Sequence, residues 1–549
     1  MDERPQRMTE LDIFFVGGAN EVGLNATAHQ FGQDLVVTDF GAFLGDLHAS
    51  VQRVVPSVDA LHRDGRMLRG VFLSHGHEDH IGALSQLLAR APVPIYGPAF
   101  AIELVRSRLQ EMGRERRAEL YSVEPGRPFE LGPFKVEFVS VTHSIPDSVM
   151  VLVETPAGRT LDTGDFKLDR APRGPLTDLD RLRAIGDEGL DVLLSDSTNA
   201  ERPGRTQPET EVHAALEDEV CAARGRVVVT LFASHVHRMA GLVDIAERTD
   251  RRILLAGYSM QRNWAIGQKL GLLPPGDGRT TTPDGARRLR PRDLLILATG
   301  TQGEPGGAMA RLARGHGVVD LEPGDTVLWS ARAIPGRELA IRDIFNRLIG
   351  QGVLIRTAKQ RPALHTSGHA QQDEHLELYD LVRPRYLVPF HGDRTMMEAQ
   401  AETARRWGMD PSRILIPANG SIFTLEDGEL SLRTVEDVTP MPIDRHGQAM
   451  EWGTVRTRER MGRSGALFVQ VPRDEAGWVR RAPLVVPVGL ELDSEDVDRV
   501  SRAVAAMVNE AKTADRSALD EVVIRAVQTS LRMKRFALPW IEVRVTADA

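Results

Sequence analysis

The segment Ser74-His75-Gly76-His77-Glu78-Asp79-His80 puts three imidazoles and two carboxylates within seven residues. It follows an apolar run, Val71-Phe72-Leu73, and precedes a helix-like stretch, Ile81–Leu88, so it reads as a sharply turning loop at the end of a buried strand. One such histidine alone would read as a solvated loop residue. Packed as His-x-His-x-Asp-His, the group reads as a set of ligands for a divalent cation. The single cysteine, Cys221, excludes a multi-thiolate zinc or iron–sulfur centre and intramolecular disulfides. A metal in this chain must sit on His and carboxylate.

The elements that position this loop are legible as alternating runs. From Ile13 to about Ser197, short β-branched stretches (Ile13–Val16, Leu35–Thr38, Val71–Ser74, Val136–Thr142, Val149–Val153, Val192–Leu194) predict a mixed sheet with covering helices. Strand-like Val227–Leu231, Ile253–Leu255, Leu294–Leu297 and Thr326–Trp329 then alternate with helical Val236–Arg248, Trp264–Leu270 and Leu339–Ile349, which predicts a parallel sheet of βαβ units. The first style returns between Gln351 and about Leu430, as for a domain interrupted by an insert. The polar stretch 431–463, with Pro440 and Pro442, reads as a connector, and the rest as a small α+β domain. The expected boundaries are 1–205 and 351–430 for the interrupted domain, 206–350 for the insert, 431–463 for the linker and 464–549 for the last domain.

Length and charge bound the function. At roughly 100–200 residues per domain, 549 residues suggest about three or four packed units. Hydrophobic residues at 42% and charged residues at 26% are globular proportions. Seventy-seven acidic against sixty-eight basic side chains give −9, so a nucleic-acid partner must be held by a local site. The start, Met1-Asp2-Glu3-Arg4-Pro5, has no apolar core of a signal peptide, and no stretch reaches the ~18–20 apolar residues of a membrane span. A cytoplasmic protein without a membrane partner is expected. Basic runs at Arg114–Arg117, Arg287–Arg290 and Arg532–Arg535 read as solvated surface, with an RNA path as the other reading.

The loop His75–His80 resembles the signature of the metallo-β-lactamase superfamily. Further ligands of that family have counterparts in His143, within Val141-Thr142-His143-Ser144, and Asp165, within Thr163-Gly164-Asp165-Phe166. Asp39, in Thr38-Asp39-Phe40-Gly41, matches the family's supporting acidic residue. The stretches Asp191–Asn199, Thr230–Arg238, Leu364–Ala370 and Val388–Gly392 are similar to the β-CASP branch, and within it to the ribonuclease J family. The resemblance implies an αββα sandwich interrupted by a parallel-sheet β-CASP insert. It implies one metal position on His75, His77 and His143, another on Asp79, His80 and His391, and Asp165 bridging them.

Nitrogen and oxygen donors suit two Zn²⁺, with Mn²⁺ as the alternative. Two ions about 3.5–4 Å apart stabilise both ends of an in-line displacement at phosphorus. By the same resemblance the substrate is single-stranded RNA, cut 5′-to-3′ from a 5′ monophosphate and also internally, in rRNA processing and mRNA decay. His369 would donate a proton to the departing 3′ oxygen and Asp196 would orient it. Ser234, His235, Val236, His365, Thr366, Ser367, Gly368 and His369 would grip the terminal phosphate. Each of these has a plainer reading: Ser197-Thr198-Asn199 and Ser367-Gly368-His369 also suit ordinary turns. Relatives commonly carry Ser-Asn where this chain has Ser234-His235, and Arg where it has Tyr258. A homodimer or homotetramer and RNA-degradation partners are implied too. The competing expectations are a hydrolase of small esters or thioesters and a non-catalytic RNA-binding scaffold.

Overall fold

The computed structural model describes residues 9–547 apart from 46, 48–49, 276–278, 335, 512–514 and 532–538. The N-terminal segment Met1–Pro5 and the basic run Arg532–Arg535 lie outside the described residues.

Two sheets face each other across a shared apolar core. The larger has eight strands, in the order Glu429–Val435, Ser421–Glu426, Glu10–Gly17, Ala26–Phe31, Asp34–Thr38, Met67–Phe72, Ile95–Gly97 and Leu120–Ser122. The smaller has six: Tyr386–Phe390, Val192–Asp196, Gly158–Asp162, Val149–Thr155, Phe134–Ser140 and Phe129–Leu131. Alternate residues from both, among them Ile13, Phe15, Phe72, Phe138, Val151, Val192, Val388 and Phe423, form one buried cluster. The other face of the six-stranded sheet buries Leu152, Leu161 and Leu193 against Leu182, Leu378 and Ala401, from the helices Leu179–Glu188, Gln372–Val382 and Arg394–Trp407. This is the expected sandwich.

A parallel five-stranded sheet is inserted, in the order Arg252–Ala256, Leu294–Ala298, Val227–Thr230, Thr326–Trp329 and Leu354–Thr357. Its strands are almost continuously apolar because helices cover both faces. Leu354–Thr357 pairs with Thr326–Trp329, so this sheet runs beyond the boundary expected at 350. That edge strand is half exposed, and its sequence lacks a buried strand's pattern.

By internal contacts, one compact unit takes in the residues up to 46 and 54–440, and a second takes in 47–53 and 441 onward. The stretch 431–463, expected as a connector, is largely ordered structure. Glu429–Val435 is the edge of the eight-stranded sheet and Trp452–Ser464 is a helix. Its polar composition reflects a one-sided edge strand and a helix that buries only Val455. The second unit contains a three-stranded sheet, Leu484–Val488, Ala466–Arg473 and Trp540–Ala547, packed through Val469, Val485 and Val543 on the helices Ser494–Ala511 and Arg516–Ser530.

Candidate metal centre

The sequence-predicted ligands leave strands that run the same way within their sheets. His75–His80 follow Met67–Phe72, Asp39 follows Asp34–Thr38, His143 follows Phe134–Ser140, Asp165 follows Gly158–Asp162, and His391 follows Tyr386–Phe390. Asp196 closes Val192–Asp196. Side chains more than 300 residues apart thus meet at one edge of the sandwich. Holding them there costs backbone strain: Asp39 and His391 have φ of 60° and 49°, worth about 1–3 kcal/mol each for non-glycine residues. Close approach does the rest. A Cβ on Gly41 would lie 1.6 Å from the Asp79 carbonyl oxygen, so only glycine lets that turn close.

Three groups of donors result, the third being Asp165, Asp196, His369 and His391; the first two coincide with the sequence-predicted ligands. His75, His77, His143 and Asp165 offer atoms within 4.8 Å of one another, as do Asp79, His80, Asp165 and His391. In the first, His77 Nδ1 lies 3.0 Å from His75 Nε2 and 3.2 Å from His143 Nε2. Asp165 serves both of the first two groups. Its Oδ2 is 3.5 Å from His75 Nε2 and from His143 Nε2, while its Oδ1 is 3.2 Å from His80 Nε2. Asp79 Oδ2 is 3.5 Å from His391 Nε2 and 3.9 Å from His80 Nε2. Asp39 supports the second group from behind: its Oδ2 lies 2.7 Å from His80 Nδ1, and it accepts from Ser74 N and Ser74 Oγ.

The donor chemistry fits divalent cations. Asp165 Oδ1 and His391 Nε2 are buried among the other donors, 3.2 Å from His80 Nε2 and 3.5 Å from Asp79 Oδ2 respectively, yet make no well-aligned hydrogen bond. Burial drives the imidazoles of His75 and His143 well below their usual range and that of His77 down to about 4, so all three are neutral, the form that ligates. Burial opposes charge on His80 and His391 too, but Asp165 and its neighbouring carboxylates outweigh it, raising His80 strongly and His391 to about 10. Such carboxylates require positive charge, and a cation meets that need in place of the protons.

Beside the ligands, His369 Nδ1 lies 2.7 Å from Asp196 Oδ2, and its Nε2 is 3.9 Å from Asp165 Oδ2. Burial disfavours the His369 cation, but Asp196 and Asp165 raise its pKa above the ordinary value. Asp196 Oδ1 is also 3.1 Å from His391 Nδ1, so one carboxylate contacts both imidazoles. Gly368 donates no side chain; its carbonyl accepts from His143 Nδ1 at 2.7 Å, and a Cβ there would lie 2.5 Å from His143 Cε1. Ser367 Oγ accepts from Asn199 Nδ2 at 2.9 Å and from the His369 amide at 3.2 Å.

Residues 44–203 match the metallo-beta-lactamase superfamily, residues 224–348 the ribonuclease J beta-CASP domain, and residues 358–415 the Zn-dependent metallo-hydrolase RNA specificity domain. Ribonuclease J of Sinorhizobium meliloti is 34% identical over 564 residues, covering 98% of this chain and 97% of that protein. Ribonuclease J of Synechocystis is 36% identical over 482 residues, covering 86% and 75%.

The chain belongs to the ribonuclease J family.

Ribonuclease J of Mycobacterium tuberculosis is a further relative, 37% identical over 441 residues that cover 79% of this chain and 78% of that one. A crystal structure of a protein of unknown function from Enterococcus faecalis V583 shares the fold, with a TM-score of 0.54 and 17% identity over 76% of this chain and all of that one. Family membership and the donor set together make this ribonuclease J-family chain a metal-dependent hydrolase.

Several expected phosphate-gripping residues have partners within the protein. His235 is buried with Nε2 3.5 Å from Glu209 Oε2; burial and the nearby Arg238 push its pKa down to about 4. Val236 is wholly buried at the start of the helix Val236–Arg248. Thr366 Oγ1 donates to the Gln207 carbonyl, and His365 Nδ1 is 3.5 Å from Arg238. Ser234, by contrast, reaches the centre, with Oγ 3.0 Å from His77 Nε2. Tyr258 is exposed and donates to Glu111.

Sequence reasoning missed three supports. Asn25 donates from its amide and side chain to the Asp79 carbonyl. Arg238 forks onto Glu209 and donates to both oxygens of Ser330, whose hydroxyl in turn donates to the Leu364 carbonyl. Glu374 accepts from the amides of Leu168, Thr206 and Gln371. Arg238 lay in the stretch Thr230–Arg238 without a role assigned to it, and Glu374 had the Gln-x-x-Glu spacing of a capping box.

Proposed function

We propose that this chain hydrolyses RNA, removing nucleotides 5′-to-3′ from a 5′-monophosphorylated end and also cutting internally, in rRNA processing and mRNA decay. The observation that carries the reading is the shared Asp165 between two donor groups, with the His369–Asp196 pair beside it. His75, His77, His143 and Asp165 would hold one ion, and Asp79, His80, His391 and Asp165 the other. Two bound Zn²⁺, or Mn²⁺, would supply water activation and charge stabilisation at phosphorus.

The chain's own groups do the rest. Asp196 holds His369 Nδ1, which leaves Nε2 to carry the proton given to the departing 3′ oxygen. The raised pKa of His369 keeps that proton available near neutral pH. Ser234, whose Oγ lies 3.0 Å from His77 Nε2, and the amides of Ser367 and Gly368 would be donors for a terminal phosphate. The reading extends to a homodimer or homotetramer assembled through the last domain and to association with RNA-degradation partners in the cytoplasm. Among the described residues, no helix is long and apolar enough to cross a membrane.

The deciding experiment uses end-labelled RNA bearing a 5′ monophosphate, triphosphate or hydroxyl, incubated with metal-loaded protein. Mononucleotide release confined to the monophosphate is expected. Equal release from all three ends, or thioester hydrolysis without RNA cleavage, would overturn the reading.

A further inference from the structure

Each of the five histidines in the two donor groups has its other ring nitrogen engaged. His75 Nδ1 is 3.0 Å from Ser74 Oγ, His80 Nδ1 is 2.7 Å from Asp39 Oδ2, and His143 Nδ1 is 2.7 Å from the Gly368 carbonyl. His391 Nδ1 is 3.1 Å from Asp196 Oδ1, and His77 Nε2 is 3.0 Å from Ser234 Oγ. Such partners fix the tautomer and the orientation of a ligating ring, and losing one typically costs about 10–100-fold in metal affinity.

Of these five partners, Ser234 alone comes from the insert. His77 aims Nδ1 at the imidazoles of His75 and His143, which sends Nε2 outward to the insert; of the other four, His391 also sets Nδ1 near a fellow donor, 3.2 Å from Asp165 Oδ1, but its surroundings lie outside the insert. Ser234 sits between the strand Val227–Thr230 and the helix Val236–Arg248. The insert's own framework holds that turn: His235 N donates to the Phe232 carbonyl, Val236 N to the Ser234 carbonyl, and Asn263 Nδ2 to the Ala233 carbonyl. The Ser234 hydroxyl accepts from His77 and keeps its own proton to donate, for which an RNA phosphate is a suitable acceptor.

We propose that Ser234 is a positioning residue for the metal ligand His77, so that the position held by His75, His77 and His143 is complete only when the insert is seated, whereas the position held by Asp79, His80 and His391 is independent of it. This rests on the two-position metal reading above. It has a reciprocal consequence: a phosphate that accepts the Ser234 proton makes that hydroxyl a better acceptor for His77, so RNA and the first ion tighten each other's binding.

The test is zinc titration of the full chain against a chromophoric chelator, for wild type, Ser234→Ala and Ser234→Thr, with thermal unfolding of the metal-free proteins as the check on folding. Wild type should bind two ions. Ser234→Ala should bind one as wild type does and the other about 10–100-fold more weakly, and Ser234→Thr, which keeps the hydroxyl, should restore it. Two ions bound at wild-type affinity by Ser234→Ala would overturn the proposal, as would equal weakening of both positions or no restoration in a folded Ser234→Thr. Failure of wild type to bind two ions would instead overturn the two-metal reading.

Discussion

In the proposed mechanism His369 gives a proton and His391 holds a metal, although both set Nδ1 on Asp196; they differ at Nε2, which lies 3.9 Å from Asp165 Oδ2 in His369 and 3.5 Å from Asp79 Oδ2 in His391. Replacing each has a different expected signature. His369→Ala should keep both ions and lose about 10²–10⁴-fold in turnover, checked by metal analysis beside RNA hydrolysis; unchanged turnover would remove His369 from the mechanism. Asp79→Asn should instead lose the ion of the second position, because Asp79 Oδ2 faces both His391 and His80. Direct metal analysis of the purified variant reads this. At this scale the sequence was most legible where chemistry is local. His75 to His80 announce themselves in one loop, but Asn25 and Glu209 look like ordinary loop and surface residues.

At the scale of elements, buried polar groups pin the layers together. His29, on the strand Ala26–Phe31, lies with Nε2 3.0 Å from Thr160 Oγ1 on the strand Gly158–Asp162, which belongs to the facing sheet. Burial lowers its pKa from 6.5 to about 4, so the folded protein takes up its proton later than the unfolded chain does. Its contribution to stability is complete above about pH 6.5 and is lost as pH falls toward about 4. Between about pH 7 and about pH 5 the loss should be about 2 kcal/mol. Urea unfolding of wild type and His29→Leu at the two pH values checks it, since the variant should lose less. In the insert, Arg238 and Glu209 clamp the helices Val236–Arg248 and Glu209–Ala222. Arg238→Ala would leave the buried Glu209 without its guanidinium and with only the His235 imidazole 3.5 Å away, and should cost about 3–5 kcal/mol, measured by the same unfolding. Arg238→Lys should restore little of it, because an ammonium lacks the two-pronged fit.

For the whole molecule, the last unit buries Val469, Val500 and Val523 in a core of its own, while Phe468, Leu484, Val486 and Val488 are exposed on its sheet. A chain ending at Asp444 should form a smaller oligomer than the full chain does; light scattering that gives the same oligomer for both would count against assembly through this unit. The amino-acid sequence alone determined the ligand types, because one cysteine leaves only His and carboxylate, and it determined the strand and helix alternation, because periodicity is written residue by residue. The stretch 431–463 misled because edge strands and one-sided helices bury too little to leave an apolar pattern. Which nitrogen of each imidazole faces its fellow donors, that Asp165 turns one oxygen toward His75 and His143 and the other toward His80 and His391, that His235 lies beside Glu209, and that the Ser234 hydroxyl lies beside His77 were decided only by the tertiary structure. These facts depend on orientations and distances between residues up to hundreds of positions apart, and a linear order of residue types carries no such distances.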